Sequence, residues 1–495
     1  MKKKTILSLF ACCCAAFTAC DMDLTSETSI ATNESVQSVL DCQKYSNLFH
    51  AEWRSYLQNA YAMDALVQSG LITATADYGN TYGAFYRWEF TITDGAFSGC
   101  WSNNYNYIAN ANVLLKGAQA LLDANTLSDA DRVSVRLYMG HAYFSRAFAY
   151  FELARHFCKN YDASTAANDY GVPLVYEYNP SSNDASYPER SSLAETYAQI
   201  EDDLAKAEEL VTTAGEQNSA YITKDVVKAL KARVALEKED YQGAISAATS
   251  LIDSGTYPLM TDAAAYADMW VHDNGTEAIW QFAMIKGQEE CPNSLGSAFS
   301  GIIDIPTKTV LGLYDQDNDI RYDAYFTYDS IDAQSVSDFM LTYCKKWPGN
   351  PDFYDGKSSN VNKTKAFRIS EMYLIAAEAY AMSGDAANAS EILNELKAAR
   401  IKGWNDKAYS GDALMKEIQD EYVRELFGED PHIFNMKRWK KGLNRSTVEA
   451  QVQSYLPALG TDMVKPADDH MWVWPIPKDE IDSNPQIKGQ QNEGY

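Results

Sequence analysis

Two stretches of this chain repeat one spacing of small residues and helix contacts. Ala232, Ala235 and Ala244 in Thr223–Ser254 correspond to Ala377, Tyr380 and Ala389 in Arg368–Arg400, and the first and third positions are 12 residues apart in both. Each stretch shows a helical period, a stop and a restart. The first runs Val226–Glu239, then Asp240-Tyr241, then Gln242–Ser254; the second breaks at Ser383-Gly384-Asp385. Small residues at this spacing let two antiparallel helices approach closely, and such pairs bury their apolar faces only by stacking on further pairs. The pattern therefore restricts the chain to a mainly α fold built from helix pairs.

The spacing is that of tetratricopeptide repeats. A third helix, Val133–His156, places Ala147, Tyr150 and Ala154 on one face, and Leu193–Val211 is its expected partner, displaced by an insertion. Another long helix is expected over Trp101–Leu122. Two intervals have a different character. Residues 70–99 and 256–362 are rich in Gly, Asn, Asp, Ser and aromatics, with short β-like runs such as Glu277–Phe282. They are too long for plain connections, and long irregular segments on a rigid scaffold are where binding usually resides. The organisation expected is a leader over 1–19 and one domain over 20–495, a helical-repeat scaffold with insertions at about 70–99 and 256–362.

The leader reading rests on Lys2, Lys3 and Lys4, an apolar stretch from Ile6 to Phe17, and Phe17-Thr18-Ala19-Cys20. The stretch is too short to span a bilayer and reads as a signal peptide. A small residue before a cysteine is what a lipoprotein signal peptidase accepts, so Cys20 is the expected lipid anchor. Each buried methylene of an acyl chain there contributes about 0.8 kcal/mol. No later segment offers an uninterrupted apolar span of membrane length.

The whole chain balances 42 basic against 68 acidic residues, a net charge of −26. That argues against nucleic acid and other polyanions and leaves neutral ligands open. Beyond Cys20 the cysteines are Cys42, Cys100, Cys158, Cys291 and Cys344, widely spaced and without a C-x-x-C, so mostly isolated thiols are expected. With 33 Tyr, 18 Phe and 10 Trp, the chain has rings to spare for sugar C–H faces, although any single ring is more often core.

Signatures of chemistry are absent. There is no H-E-x-x-H, G-x-S-x-G, P-loop or G-x-G-x-x-G, and His50, His141, His156, His272, His432 and His470 are scattered without metal-ligand spacing. Asp315-Gln316-Asp317-Asn318-Asp319 begins like a calcium loop. An EF-hand needs Gly at the sixth position and Glu at the twelfth, where this chain has Ile320 and Phe326. Turn and helix-cap chemistry is the expectation there, with Ca2+ weakly supported. No enzymatic activity and no cofactor are expected.

Ligand contacts are expected in the two irregular intervals. In the first, Tyr78, Tyr82, Tyr86 and Trp88 crowd together, and an extended run over 82–88 would put Tyr82, Tyr86 and Trp88 on one face. Trp101 and Asn104 follow one helical turn apart. A ring and an amide there suit a sugar, while the alternative has Trp101 anchoring its helix to the core. In the second interval the candidates are Phe299, Trp347 and Tyr354, with Trp347 before the turn-rich Pro348-Gly349-Asn350-Pro351; Trp280 reads as a packed strand residue.

Set in order along the chain, several motifs resemble the SusD/RagB family of outer-membrane nutrient-uptake lipoproteins. They are R-A-F-A-Y-F at Arg146–Phe151 with Tyr170-Gly171-Val172-Pro173-Leu174; R-I-S-E-M-Y-L-I-A-A-E-A at Arg368–Ala379; R-E-L-F-G-E-D at Arg424–Asp430 leading to Lys437-Arg438-Trp439; and Trp474-Pro475-Ile476-Pro477 through Glu480-Ile481 to Gln491-Asn492-Glu493-Gly494-Tyr495. Asp430-Pro431-His432 and Asn435 depart from the usual pattern. These motifs read as scaffold, with Glu371 and Arg424 as a structural charge pair. The resemblance implies a cell-surface lid on a SusC-like TonB-dependent transporter that captures a neutral glycan, or a peptide in the RagB branch, without catalysis. It also implies that the acidic Asp21, Asp23 and Glu27 after Cys20 direct surface export, and that Trp101 and Asn104 occupy a position like that of a starch-binding ring and amide.

Overall fold

The computed structural model describes residues 35–58, 61–179, 183, 187–286, 294–300, 302–333, 336–353, 360–429, 432–457 and 462–495. Residues 1–34, with Cys20, lie outside this set, as do Cys291 and Tyr354.

The helices begin where the sequence supplies caps. Helix α1 (Val39–Leu57) starts at Ser38, whose hydroxyl accepts the Asp41 N–H. Helix α2 (Gly95–Asp123) begins six residues before Trp101, after Asp94. Helix α3 (Asp129–Phe157) is capped by Ser128, and α4 (Leu193–Leu210) by a reciprocal box of Ser192 and Glu195. Thr223 and Asp240 cap α5 (Lys224–Glu237) and α6 (Tyr241–Ile252). The last long helices are α7 (Ile369–Met382), α8 (Ala386–Arg400), capped by Asp385, and α9 (Gly411–Leu426).

The expected pairs form: α3 lies along α4, α5 along α6, and α7 along α8. The repeated spacing does the packing. Ala232, Ala244, Ala377 and Ala389 are fully buried, while the middle positions Ala235 and Tyr380 are half-buried in both repeats. α6 also packs on α7, so the second pair stacks directly on the third although more than 100 residues separate them in the chain. In the core, Trp53 of α1 stacks on Phe148 of α3 at 4.1 Å, and Trp280 lies near-parallel to Phe367 at 6.1 Å.

The strands form separate two-stranded antiparallel sheets: β1 (Ile72–Ala74) with β5 (Asp304–Pro306), β2 (Tyr170–Pro173) with β3 (Arg190–Ser192), β4 (Ala278–Gln281) with β8 (Lys365–Arg368), β6 (Phe326–Ala333) with β7 (Val336–Cys344), and β9 (Leu443–Arg445) with β10 (Met463–Lys465). The β1–β5 ladder joins the two irregular intervals to each other.

A buried ion network ties these parts together. Glu425 accepts from Arg321 at 3.0 Å and from Arg368 and Arg400 at 2.9 Å, and Glu277 bridges Arg368 and Arg400. Glu371 and Arg424 are structural ions, but not partners of each other. Glu371 binds Arg233 at 2.7 Å, and Arg424 binds Glu421 at 2.6 Å on its own helix. Spacing along the sequence does not reveal which distant helix brings the counter-ion.

Candidate functional site

Most of the expected ligand rings are interior. α2 carries an apolar stripe of Phe97, Trp101, Ile108 and Ala111 at helical spacing, with Asn104 on the same face, and that face points inward. Trp101 is 4% exposed and lies edge-on to Phe157 at 5.0 Å. Asn104 is fully buried and donates its amide to the Cys100 carbonyl one turn back. The two share a side, as the spacing required, but it is the core side.

The same correction applies to four other residues. Trp347 turns away from the Pro-Gly turn that follows it. It donates Nε1–H to the Gly428 carbonyl at 2.7 Å and meets Trp270 edge-on at 5.1 Å. Phe299 stacks on Phe427. Trp88 meets Trp472 edge-on at 4.8 Å. Tyr86 is buried beneath the guanidinium of Arg445. Each ring gains more by leaving water than a single exposed contact would return. Residues 82–88 are not extended either: Gly83–Tyr86 is a short helix, so alternate residues do not share a face. Trp280 is a buried strand residue, as expected.

Tyr78 and Tyr82 remain at the surface, both half-buried. They sit on a loop that leaves β1 and turns through a left-handed backbone at Gly79, Asn80 and Tyr82. Around them the loop builds a polar clasp. Arg87 Nη1 donates to the Tyr78 hydroxyl at 2.9 Å and to Asn80 Oδ1 at 2.7 Å, while its Nε pairs with Glu89 at 2.7 Å. Gly83 leaves room for this clasp, because a Cβ there would lie 2.1 Å from Asn80 Oδ1 and 2.8 Å from Arg87 Nη1 and would push both side chains aside. The Tyr455 hydroxyl donates to Asp77 at 2.8 Å from across the fold. Burial pushes the Tyr82 phenol up to about 12, so it stays a neutral donor and acceptor.

The arrangement offers two phenol rings, the exposed Asn80 amide and a guanidinium whose charge is balanced by Glu89. These groups suit a neutral polyhydroxyl ligand, which needs flat apolar faces to stack on and amides to bond its hydroxyls. They offer no nucleophile with an adjacent base. Asn80 and Arg87 lie within the Gly/Asn/aromatic stretch that pointed to Tyr78 and Tyr82, so they were within reach of sequence reasoning. Tyr455 was not, because nothing in its own neighbourhood marks it.

Other features have structural explanations. A partly open cavity of about 70 Å³ is lined in part by Glu152, Arg155, Arg233, Arg368, Glu371 and Glu429, all engaged in ion pairs. Asp319 caps the helix Ile320–Tyr325 and spends both carboxylate oxygens on Arg321, while Asp315 accepts the Asn318 and Asp319 N–H groups in a turn. That is the cap and turn role expected of the acidic run. Among the described residues no group of three His, Cys, Asp or Glu could hold a metal ion, and no helix is long and apolar enough to cross a membrane. Cys42, Cys100, Cys158 and Cys344 are free buried thiols, and burial pushes Cys42 up to about 11.

Comparison with known proteins gives concordant results. A model of the SusD family matches residues 307–495, and a model described as starch-binding, associating with the outer membrane, matches residues 22–236. A SusD-like protein, P38, from Formosa agariphila is 23% identical over 415 residues, which cover 72% of this chain and 74% of that one. The fold matches a SusD superfamily protein from Bacteroides thetaiotaomicron with a TM-score of 0.77 at 22% identity, covering 92% of this chain and 100% of that one. It also matches a structure described as a putative sugar binding protein from Bacteroides vulgatus, with a TM-score of 0.76 at 24% identity, covering 93% and 99%.

Proposed function

We propose, from the premise that this chain belongs to the SusD family, that it captures a neutral glycan at the cell surface and presents it to a SusC-like TonB-dependent transporter as that barrel's lid. The family is one of glycan-binding components of nutrient uptake at the outer membrane, and the transporter partner and the lid motion are part of the proposal. No bond is made or broken in this role. The observation that carries it is the Tyr78–Tyr82 loop, where rings, an amide and a charge-balanced guanidinium lie together on an otherwise strongly acidic molecule. Acyl chains on Cys20 are the proposed tether.

Binding follows from stacking. A sugar ring laid on Tyr82 exchanges water for C–H contacts with the phenol, and Asn80 and Arg87 complete hydrogen bonds to its hydroxyls. Tyr82→Ala and Asn80→Ala should abolish or sharply weaken retardation in native gels cast with neutral polysaccharides, with the melting temperature unchanged within a few degrees. Retention of full binding in both variants would move the site elsewhere. Binding of an unstructured peptide pool with no glycan retardation would favour the peptide-capturing branch instead.

A further inference from the structure

We infer that Arg445 is a positioning residue for the Tyr78–Tyr82 surface, holding a strained loop in its ligand-ready shape before any ligand arrives. The inference deepens the proposed function and rests on it for its link to affinity; the exchange measurement below does not depend on a ligand.

The loop over residues 75–88 is held in a backbone shape that its side chains disfavour. Asn80, Tyr82 and Trp88 have φ of 63°, 56° and 53°. Asn tolerates that region, whereas bulky Tyr and Trp rarely enter it. Such strain persists only where the surroundings over-determine it, and it concentrates at ligand clamps. Three holds are present. At the base, Thr75 N–H donates to the Ile303 carbonyl at 2.9 Å, extending the β1–β5 ladder. On the flank, Ala76 N–H donates to the Tyr455 carbonyl at 2.9 Å and the Tyr455 hydroxyl binds Asp77. At the far end is Arg445.

Arg445 arrives on β9, 359 residues away in sequence, and makes two contacts with one residue. Its Nη2 donates to the Tyr86 carbonyl at 2.5 Å, and its guanidinium carbon lies 3.6 Å from the centre of the Tyr86 ring. Tyr86 is the last residue of the short helix that closes the loop, so fixing its ring and carbonyl fixes where Arg87 starts. Arg87 in turn sets Tyr78 and Asn80. Arg445 is 3% exposed, and it faces the buried Asp304 of β5 at the loop's other end. A desolvated cation over a ring with a charge-assisted hydrogen bond is a strong, directional hold.

The test is hydrogen exchange on the full-length chain carrying Arg445→Met, which keeps the length of the side chain and removes the guanidinium. The amides of Gly83, Tyr86, Arg87, Trp88 and Glu89, all hydrogen-bonded within this segment, should exchange about tenfold faster or more, with α3 and α7 unchanged. Unchanged exchange in the segment overturns the inference, and so does an equal acceleration in α3 and α7, which would mark a general structural role. Should Arg445→Met not fold, Tyr86→Leu removes the ring beneath the cation and should give the same local acceleration; its absence would likewise overturn the inference. Retardation in native gels cast with amylopectin, xylan, galactomannan or laminarin is read beside it. A wild-type chain retarded by none of them counts against the glycan reading and leaves the exchange result to decide the role of Arg445.

Discussion

Trp101 shows how one residue's chemistry leaves its role open until its surroundings are known. An aromatic ring and an amide one helical turn apart fit a sugar site, and they fit a helix anchor equally well. Here the ring packs on Phe157 and Tyr105 on the buried stripe of α2. Trp101→Ala should therefore cost about 3–5 kcal/mol of stability through the cavity it leaves. In gels cast with a retarding polysaccharide, its folded fraction should bind as wild type. Urea denaturation beside native-gel retardation checks both, and a stable variant that lost binding would return Trp101 to the ligand. Tyr82 is the converse case. Its partial exposure depends on a left-handed turn at a residue type that rarely adopts one, and no propensity rule would have anticipated it.

At the scale of elements, the helix pairs were legible in advance, because the Ala spacing and the breaks at Asp240-Tyr241 and Ser383-Gly384-Asp385 act locally. The strand partners were not. β1 and β5 are three-residue strands more than 200 residues apart, too short to have a pattern of their own. The ion network was equally hidden. Burial pushes Glu425 up, yet Arg400 and Arg368 outweigh it and hold its carboxyl well below the usual range. Burial likewise raises Glu421, but Arg321 and Arg424 bring it down to about 2. Carboxylates held below their unfolded values contribute stability that is present above about pH 4.5 and lost as pH falls toward 2. Glu425→Gln leaves buried arginines around a neutral amide and should cost about 3–5 kcal/mol at pH 7. The deficit relative to wild type should shrink on acidification below about pH 4.5, as the unfolded wild-type chain takes up a proton that the folded carboxylate, held well below the usual range, does not. Denaturation midpoints across pH 3–8 check this, and a deficit independent of pH would show that the charge is not what matters.

Across the whole molecule, the scaffold and the proposed address belong together. In the proposed role, a lid that swings over a barrel needs a tether that does not fix its orientation, and the proposed lipid on Cys20 would supply one. Cys20→Ala should move the protein from the membrane fraction to the soluble fraction, with folding and glycan binding intact. Fractionation with a glycan gel checks it, and persistent membrane retention would rule out Cys20 as the tether.

The sequence by itself determined the helix pairs, the family motifs, the acidic balance and the interval in which the candidate loop lies. These are properties of local periodicity, composition and order along the chain. Only the tertiary structure decided which aromatic rings face water, which charges pair, and that Arg445 and Tyr455 reach the loop from the far end of the chain. Burial and long-range contact are properties of how distant segments meet, and a residue carries no local record of the partner that covers it.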